Sequence, residues 1–112
     1  LKSLSGLKEL DLSRTLITDN GLIHLKSLNN LQKLYLADTK ITNAGLIHLK
    51  TLTNLTSLKL KATRVTNAGL VHLENLKKLQ TLDLKETNVN KKDINQLQKA
   101  LISCEISYTG EK

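Results

Sequence analysis

The stretch LQKLYLADTKITNAGLIHLKTLTN, residues 31–54, decides the fold because the chain repeats it with few changes. Homologous stretches occupy residues 7–30 and 55–78, and a fourth begins at Leu79, so the period is 24 residues. Self-similarity at a period of about 20 to 29 residues is typical of solenoids whose repeats are strand-plus-helix units. The sequence therefore predicts a stack of coils, each of which buries part of a shared core against its neighbours.

Each repeat contains two hydrophobic periods in succession. In the first half of the quoted stretch, Leu34 and Leu36 alternate with Lys33 and Tyr35, which is the period of a strand with one buried face. In the second half, leucines recur every three residues at positions 46, 49 and 52, which is the stripe of a short helix or 3₁₀ segment. We therefore predict an α/β fold: a curved, right-handed leucine-rich repeat solenoid with a parallel sheet on its concave face and short helices on its convex face.

The repeats divide a single predicted domain of 112 residues into coils. The predicted segments are a partial repeat over 1–6, repeats over 7–30, 31–54, 55–78 and 79–102, and a C-terminal cap over about 91–112. The cap follows from the fourth repeat, where Asp93 replaces the repeated Gly, the apolar stripe lengthens, and polar residues face outward. A terminal coil needs such a polar outer surface.

The first residues, LKSLSG, match the second half of a repeat, and no initiator Met precedes them. We therefore expect a fragment of a longer protein whose N-terminal coil is open. In the longer protein, Leu1 and Leu4 would pack on a preceding coil. We expect the open coil to fray or to self-associate.

The link between strand and helix reads T-[DN]-x-G-L in the first three repeats. Because Thr, Asp and Asn side chains accept hydrogen bonds from the first turn of a helix, this link predicts helix caps. The predicted caps are Thr18–Asp19, Thr42–Asn43 and Thr66–Asn67. The glycines at positions 21, 45 and 69 indicate either a tight approach between coils or a positive φ.

A threonine recurs at the corner after each strand, at positions 15, 39, 63 and 87. A short hydroxyl that points inward at this corner can satisfy backbone groups that the turn leaves unpaired. We expect the substitution Thr39→Val to destabilise the fold by about 1–3 kcal/mol, the cost of leaving a buried polar group without a partner.

The complete phrase, LxxLxLxxTx[IV]T[DN]xGLxxLxxLxx, resembles a bacterial class of 24-residue leucine-rich repeats. That class is itself similar to the cysteine-containing repeats of F-box proteins, with Thr in place of their Cys. The resemblance covers residues 1 to about 90 and implies that the chain accompanies another domain, such as a kinase or cytochrome c domain. The residues that carry the resemblance are structural, so it implies no particular ligand.

The composition and the motifs limit the functional classes. The chain has no Phe, Trp or Met, which argues against aromatic cages, stacking platforms and redox cofactor pockets. No Gly-rich phosphate loop, HExxH, GxSxG or close Cys/His set occurs, so we predict that the chain is not an enzyme and has no cofactor or small-molecule substrate. His24, His48 and His72 recur in register, but helices about 8–10 Å apart cannot bring three imidazoles to one metal ion. We expect these histidines to face solvent.

Cys104 is the only cysteine, so no internal disulfide can form. Its place in the alternating segment CEISY predicts an inward-facing structural thiol. No apolar run approaches the roughly 18 residues of a transmembrane helix. None of these features assigns a cellular compartment.

The strand residues that point away from the core form the concave face, which is the usual binding surface of solenoids. In one row across the strands these residues are Asp11, Tyr35, Lys59 and Asp83. The residue type is not repeated, as a structural requirement would predict, and the row does not carry charge of one sign. Tyr35 offers a rigid amphipathic contact, and the bases around it can pair with acidic groups on a partner. The predicted partner-binding residues are Asp11, Arg14, Lys33, Tyr35, Lys59, Lys61 and Asp83.

The leading hypothesis is therefore non-catalytic recognition of a protein partner on the concave face. An alternative is a structural spacer or accessory domain of a larger bacterial enzyme, kinase or cytochrome-type protein. A second alternative is weak electrostatic binding to nucleic acid or to an anionic polymer, because the net charge is +7. Most of this charge lies outside the concave face without stacking aromatics, which disfavours nucleic acid.

Overall fold

The computed structural model describes residues 6–109, which form coils around a five-stranded parallel sheet. The strands, in both sequence and spatial order, are β1 (Glu9–Asp11), β2 (Lys33–Tyr35), β3 (Ser57–Lys59), β4 (Thr81–Leu84) and β5 (Glu105–Tyr108). Each residue pairs with the residue 24 positions later, so Leu10, Leu34, Leu58, Leu82 and Ile106 lie side by side. We call residues 7–30, 31–54, 55–78 and 79–102 the first to fourth coils.

The helical half of each coil is short. The segments are α1 (Asp19–Leu22) with a 3₁₀ turn at Ile23–Leu25, α2 (Asn43–Leu46) with a 3₁₀ turn at Ile47–Leu49, a 3₁₀ helix at Asn67–Leu73, and α3 (Lys91–Ala100). The apolar residues of the first three segments recur every three positions, which matches the three residues per turn of a 3₁₀ helix. In the fourth coil, Ile94, Leu97 and Leu101 follow the spacing of an α-helix, and this helix is the longest.

The core lies between the sheet and the helices and is aliphatic, as the two hydrophobic periods predict. Leu34 and Leu36 from the strand half of the second coil are fully buried, and so is Leu49 from its helical half. The corner threonines Thr39 and Thr63 are also buried, and their hydroxyls donate to the carbonyls of the residues three positions earlier, each at 2.7 Å. The predicted inward hydroxyl is therefore confirmed in these two coils.

The predicted role of the Asp and Asn side chains after Thr is largely wrong. Asp19 accepts from the backbone N–H of Thr42 at 2.8 Å, and Asn43 accepts from the N–H of Thr66 at 2.9 Å, so each side chain bonds to the next coil. Asn67 likewise accepts from Asn90 N–H at 2.9 Å. We call Asp19, Asn43 and Asn67 the Asx ladder.

Among the three predicted caps, only one side chain bonds within its own helix. Thr42 accepts from Ala44 N–H at 3.3 Å, whereas Thr18 and Thr66 make no side-chain cap. The Asx side chains instead reach across the stack to backbone N–H groups of the next coil. The ladder therefore joins neighbouring coils by polar bonds in addition to the apolar core.

The repeated glycines make room for this ladder. A Cβ on Gly45 would collide with the Asp19 carboxylate and would stand 3.0 Å from a methyl of Leu22. A Cβ on Gly69 would collide in the same way with the Asn43 side chain. Of the two explanations that the sequence left open, a tight approach between coils therefore applies at Gly45 and Gly69.

Positive φ occurs at a different place, at the residue just before each corner threonine. Those residues are Arg14, Asp38, Ala62 and Glu86, with φ between 56° and 59°. Their backbone N–H groups continue the bonding between coils: Arg14 donates to Ala37 O at 2.8 Å and Ala62 donates to Lys85 O at 3.0 Å. Each left-handed residue lies two or three positions after the end of one of the first four strands, where the chain leaves the sheet for the helical half of the coil.

The C-terminal end is covered by α3 and β5. Cys104 is buried as predicted, and burial raises the pKa of its thiol to about 11. The sequence predicts that polar residues of this cap face outward, but Gln98 is partly buried, and its Nε2 donates to Leu101 O and Cys104 O, both at 2.8 Å. It ties the end of α3 to the start of β5.

The N-terminal end is open in its strand half. Leu10, Leu12 and Ile17 of the first coil are only partly buried, whereas the homologous residues of the second coil are fully buried. Leu1 and Leu4, which the sequence also assigns to this open end, lie outside the described residues.

Candidate functional site

A row of four side chains crosses the concave face at the centre of the sheet. The register places Asp11 beside Tyr35, Tyr35 beside Lys59, and Lys59 beside Asp83. The Lys59 Nζ lies 4.8 Å from the centroid of the Tyr35 ring, which is a cation–π contact. The row therefore presents an aromatic ring with a cation over it between two carboxylates.

Both carboxylates are oriented by backbone N–H groups that lie just beyond the ends of their strands. Asp11 Oδ1 accepts from Ser13 N–H at 2.9 Å, and Asp83 Oδ1 accepts from Lys85 N–H at 3.0 Å. The hydrogen bond from the Ser13 backbone is the largest cause that lowers the pKa of Asp11; the Ser13 side chain and the charges of Arg14 and Lys59 act in the same direction. Asp11 is therefore charged at neutral pH and can accept hydrogen bonds.

These side chains line an open groove of about 380 Å³. Its lining residues are Asp11, Ser13, Arg14, Tyr35, Ala37, Lys59, Lys61, Asp83 and Lys85. Four of them are bases and two are acids, so the groove is positive although acidic residues flank its aromatic centre. We call it the tyrosine groove.

Lys61 makes the ion pair nearest to this groove, with 3.8 Å between its Nζ and Glu86 Oε2. Both side chains are well exposed, at 43% and 61%. Such a surface pair contributes at most about 1 kcal/mol and is easily exchanged. Lys61 can therefore leave Glu86 to meet an acidic group on a partner.

The tyrosine groove brings together six of the seven residues that the sequence predicted, all except Lys33. Lys33 is exposed on β2 in register with Glu9 and Ser57, one row away on the same side of the sheet as Tyr35. Lys85 also lines the groove but was not among the seven predicted binding residues, although the period of 24 places it beside Lys61.

The fifth strand extends the concave face beyond the predicted residues. Glu105 and Ser107 of β5 line a smaller groove of about 230 Å³ together with Lys59, Thr81 and Asp83. The alternation of CEISY indicated a strand, but residues of that strand were not assigned to the binding face. The candidate surface therefore reaches from β1 to β5.

A larger hollow of about 570 Å³ follows the corners at the carboxyl ends of the strands. It is lined by Arg14, Thr15, Leu16, Asp38, Thr39, Lys40, Ala62, Thr63, Arg64 and Glu86. Its threonine hydroxyls already donate to backbone carbonyls, and it contains no aromatic side chain. The tyrosine groove has the better-defined recognition chemistry despite its smaller volume.

The prediction that all three histidines face solvent is only partly correct. His24 is exposed, but His48 and His72 are partly buried. The Nδ1 atom of His48 is buried and has no hydrogen-bond partner. Within residues 6–109, no three His, Cys, Asp or Glu side chains are placed to hold a metal ion.

No helix in the described part of the chain is both long enough and apolar enough to cross a membrane. The longest, α3, has ten residues.

Comparison with known proteins gives one family and several similar structures. A family model described as a Leucine Rich repeat matches residues 7–26 and 27–50. An internalin (inlF) from Listeria monocytogenes is similar over 98% of this chain and 30% of its own, with a TM-score of 0.79 and 23% identity. An internalin C2 (inlC2) from the same organism is similar over 100% of this chain and 49% of its own, with a TM-score of 0.77 and 31% identity.

Leiomodin-1 actin-binding site 2 is similar over 99% of this chain and 76% of its own, with a TM-score of 0.72 and 21% identity. No curated protein matches the chain in sequence. The chain spans less than half the length of each of the two internalins.

Proposed function

We propose that this chain, which has a leucine-rich repeat fold, is a non-catalytic module that binds an acidic segment of a protein partner on its concave face. The observation that carries this proposal is the tyrosine groove, with Lys59 over Tyr35 and four bases against two acids. Tyr and Arg are enriched at the energetic centres of protein interfaces, and a positive groove favours acidic groups.

The chemistry of the groove suits a peptide or loop better than a small molecule. It is open along the sheet, and its polar groups are spread over four strands instead of converging on one point. An acidic side chain of the partner would meet Lys59, Lys61 or Lys85, while an apolar side chain would cover the ring of Tyr35. Asp11 and Asp83 would reject a partner segment whose carboxylates fall in the wrong register.

Similar structures support a role in protein recognition without identifying a partner. The similar part of leiomodin-1 is named for actin binding, so this fold binds a protein in that case. Nothing in the similarity assigns actin, or any other named ligand, to this chain.

The test begins with a partner isolated by affinity capture, whose binding to the purified chain is then measured by calorimetry. We expect the double substitution Tyr35→Ala and Lys59→Glu to weaken binding by at least about tenfold, because truncating a central aromatic residue at an interface costs about 2 kcal/mol or more. The matched control is Lys50→Glu, which reverses an exposed charge at the end of the second coil's 3₁₀ turn, on the helical side. Circular dichroism must show that both variants remain folded.

Lys33→Glu sharpens the test, because Lys33 lies on the concave face but outside the tyrosine groove. A loss as large as that of the double variant would mean that the whole face binds. Equal binding by the native chain and the double variant would overturn concave-face recognition and favour the spacer or accessory role. Binding that falls steeply with salt and is insensitive to Tyr35→Ala would favour electrostatic binding to a polyanion.

A further inference from the structure

Three large apolar side chains at the same position of consecutive coils are exposed on the helical side of the molecule. They are Ile23, Ile47 and Val71, with 43%, 47% and 57% of their surface exposed. Each lies in the 3₁₀ segment of its coil, and the segments of neighbouring coils are in contact, so the three side chains form a row. The fourth coil has the polar Asn95 at this position. We call the three apolar residues the convex strip.

The residues three positions before the convex strip widen its apolar surface. They are Asn20, Ala44 and Ala68, and all three are exposed. Because side chains three positions apart on a helical segment lie on the same face, Ala44 lies beside Ile47 and Ala68 lies beside Val71. Single exposed apolar residues are ordinary, whereas a contiguous group of them is typical of a contact surface.

The residues three positions after the convex strip carry charges of both signs. They are Lys26, Lys50 and Glu74, each of which is the C-cap of the 3₁₀ segment in its coil. Lys26 and Lys50 are exposed and Glu74 is partly buried, and within residues 6–109 none of the three forms an ion pair. From the first coil to the third, this row therefore carries two positive charges and then one negative charge.

A second copy of the chain complements both rows when it runs in the opposite direction. If two convex strips face each other in this way, Ile47 meets Ile47 of the second copy and Ile23 meets its Val71. A two-fold axis then places Lys26 opposite Glu74 of the second copy, and symmetry makes this pair twice. Two strips that run in the same direction would instead place the charged row over the alanine row and leave the charges without partners.

We propose that the convex strip is the interface of a homodimer in which two copies meet antiparallel through their helical sides. The strip supplies the apolar contact, and the two pairs of Lys26 with Glu74 select the antiparallel direction. The contact is small, because two convex surfaces touch over few side chains, so the dimer is weak. This inference does not rest on concave-face recognition. Both tyrosine grooves stay open in the dimer, which can therefore hold two partner segments at once.

An anionic membrane is another surface that an apolar strip beside lysines fits. Two features favour the second copy instead. Glu74 belongs to the charged row and would face the negative headgroups, whereas in the dimer it faces a lysine. The strip and its two flanking rows also contain no Trp or Tyr, the residue types that are enriched where proteins meet the membrane interface.

Sedimentation equilibrium of the native chain measures the dissociation constant of the dimer. We expect dimers to form as the concentration rises to about 1 mM, the range of weak and transient interfaces. Ile47→Lys should weaken the dimer at least about tenfold, because it places two like charges together at the symmetry axis and removes two aliphatic side chains from the contact. The matched control is Ile102→Lys, which adds the same charge at a residue that is 83% exposed outside the strip, and it should leave the dissociation constant unchanged.

Charge reversal tests the antiparallel direction. Lys26→Glu should weaken the dimer by about twofold to tenfold, because two attractive pairs become repulsive. This substitution also lowers the net charge from +7, so an effect of general repulsion would have the opposite sign. Glu74→Lys should weaken the dimer as well, and the two substitutions together should restore the native dissociation constant. Lys50→Gln should strengthen the dimer, since it removes the like-charged pair beside the axis.

Circular dichroism of each variant must match that of the native chain. A chain that remains monomeric at about 1 mM, or a dimer that Ile47→Lys leaves unchanged, would overturn the proposed interface. A dimer that Lys26→Glu strengthens, or that the double reversal does not restore, would overturn the antiparallel direction. A monomer that sediments with vesicles of phosphatidylserine and phosphatidylcholine, and that Ile47→Ser releases, would assign the strip to a membrane and overturn the homodimer.

Discussion

The first and second coils carry the same phrase, but their core residues differ in burial in the strand half and not in the helical half. In the strand half, Leu34 is fully buried whereas the homologous Leu10 is partly buried. In the helical half, Leu22 and Leu46 are both fully buried. Burial in a repeat protein is therefore set by the position of a coil in the stack as well as by its residues. Homologous residues of the two coils should therefore contribute unequally to the free energy of unfolding, and the same substitution made in each coil measures the difference.

The largest difference should appear at the strand leucines. We expect Leu34→Ala to lower the free energy of unfolding by about 3–4 kcal/mol, because it removes buried methyl groups and leaves a cavity. Leu10→Ala should cost about 1–2 kcal/mol, since part of that side chain already contacts water. Urea unfolding followed by circular dichroism measures both. Equal losses would mean that the first coil is as tightly packed as the second.

A smaller difference is expected at the corner threonines. Thr39 and Thr15 make the same bond, to Leu36 O at 2.7 Å and to Leu12 O at 2.6 Å, but Thr39 is buried and Thr15 is exposed. Thr39→Val should cost about 2 kcal/mol, because the buried carbonyl loses its donor. Thr15→Val should cost less than about 0.5 kcal/mol, since water can replace the hydroxyl. Thermal unfolding distinguishes them, and a neutral Thr39→Val would show that its hydroxyl can reach water.

The glycines provide a comparison of the contacts between coils. A Cβ on Gly45 meets the Asp19 carboxylate, which two hydrogen bonds hold in place, so we expect Gly45→Ala to destabilise by about 1–2 kcal/mol. A Cβ on Gly21 meets only the Ile17 side chain of its own coil, at 2.8 Å. Ile17 is partly exposed and is not held by hydrogen bonds as Asp19 is, so it can shift at a lower cost. Gly21→Ala should therefore cost less than Gly45→Ala in urea unfolding; an equal cost would show that Ile17 is fixed.

The features that depend on the period were predictable from the sequence. The leucines repeat every 24 residues with alternation followed by a spacing of three, and this pattern alone locates the strands, the short helices and the core. The row Asp11, Tyr35, Lys59 and Asp83 followed for the same reason, because a parallel sheet with a constant register places homologous residues side by side. Six of the predicted site residues therefore line the same groove.

The side-chain bonds between coils and the positive φ angles after the strands were not predictable from the sequence. Asp19 and Asn43 have the residue types of helix caps, and a local pattern cannot show that their side chains bond 23 residues ahead. The positive φ at Arg14 and Ala62 has no signal, since neither is Gly or Asn. At those positions the left-handed turn is tolerated, although it costs about 1–2 kcal/mol for a residue with a Cβ.

The smallest effect should come from replacing the Asp of the Asx ladder by Asn, the residue type that the ladder has in the next coil. Asp19 accepts from the Thr42 hydroxyl at 2.5 Å, whereas the Asn43 amide donates to the Thr66 hydroxyl at 2.7 Å. A hydroxyl can act as donor or acceptor, so Thr42 can turn to accept from an amide at position 19. Asp19→Asn should therefore change the free energy of unfolding by less than about 1 kcal/mol, the difference between a charged and a neutral acceptor.

Asp19→Ala is the matched control for this exchange, because it removes the acceptor altogether. We expect it to cost about 1–3 kcal/mol, since the partly buried Thr42 N–H would lose its partner. If Asp19→Asn were as costly as Asp19→Ala in urea unfolding, the negative charge and not the shared hydrogen-bond geometry would join the first coil to the second. The neutral link between Asn43 and Thr66 would then need a different explanation from the charged one, and the two interfaces would not be equivalent.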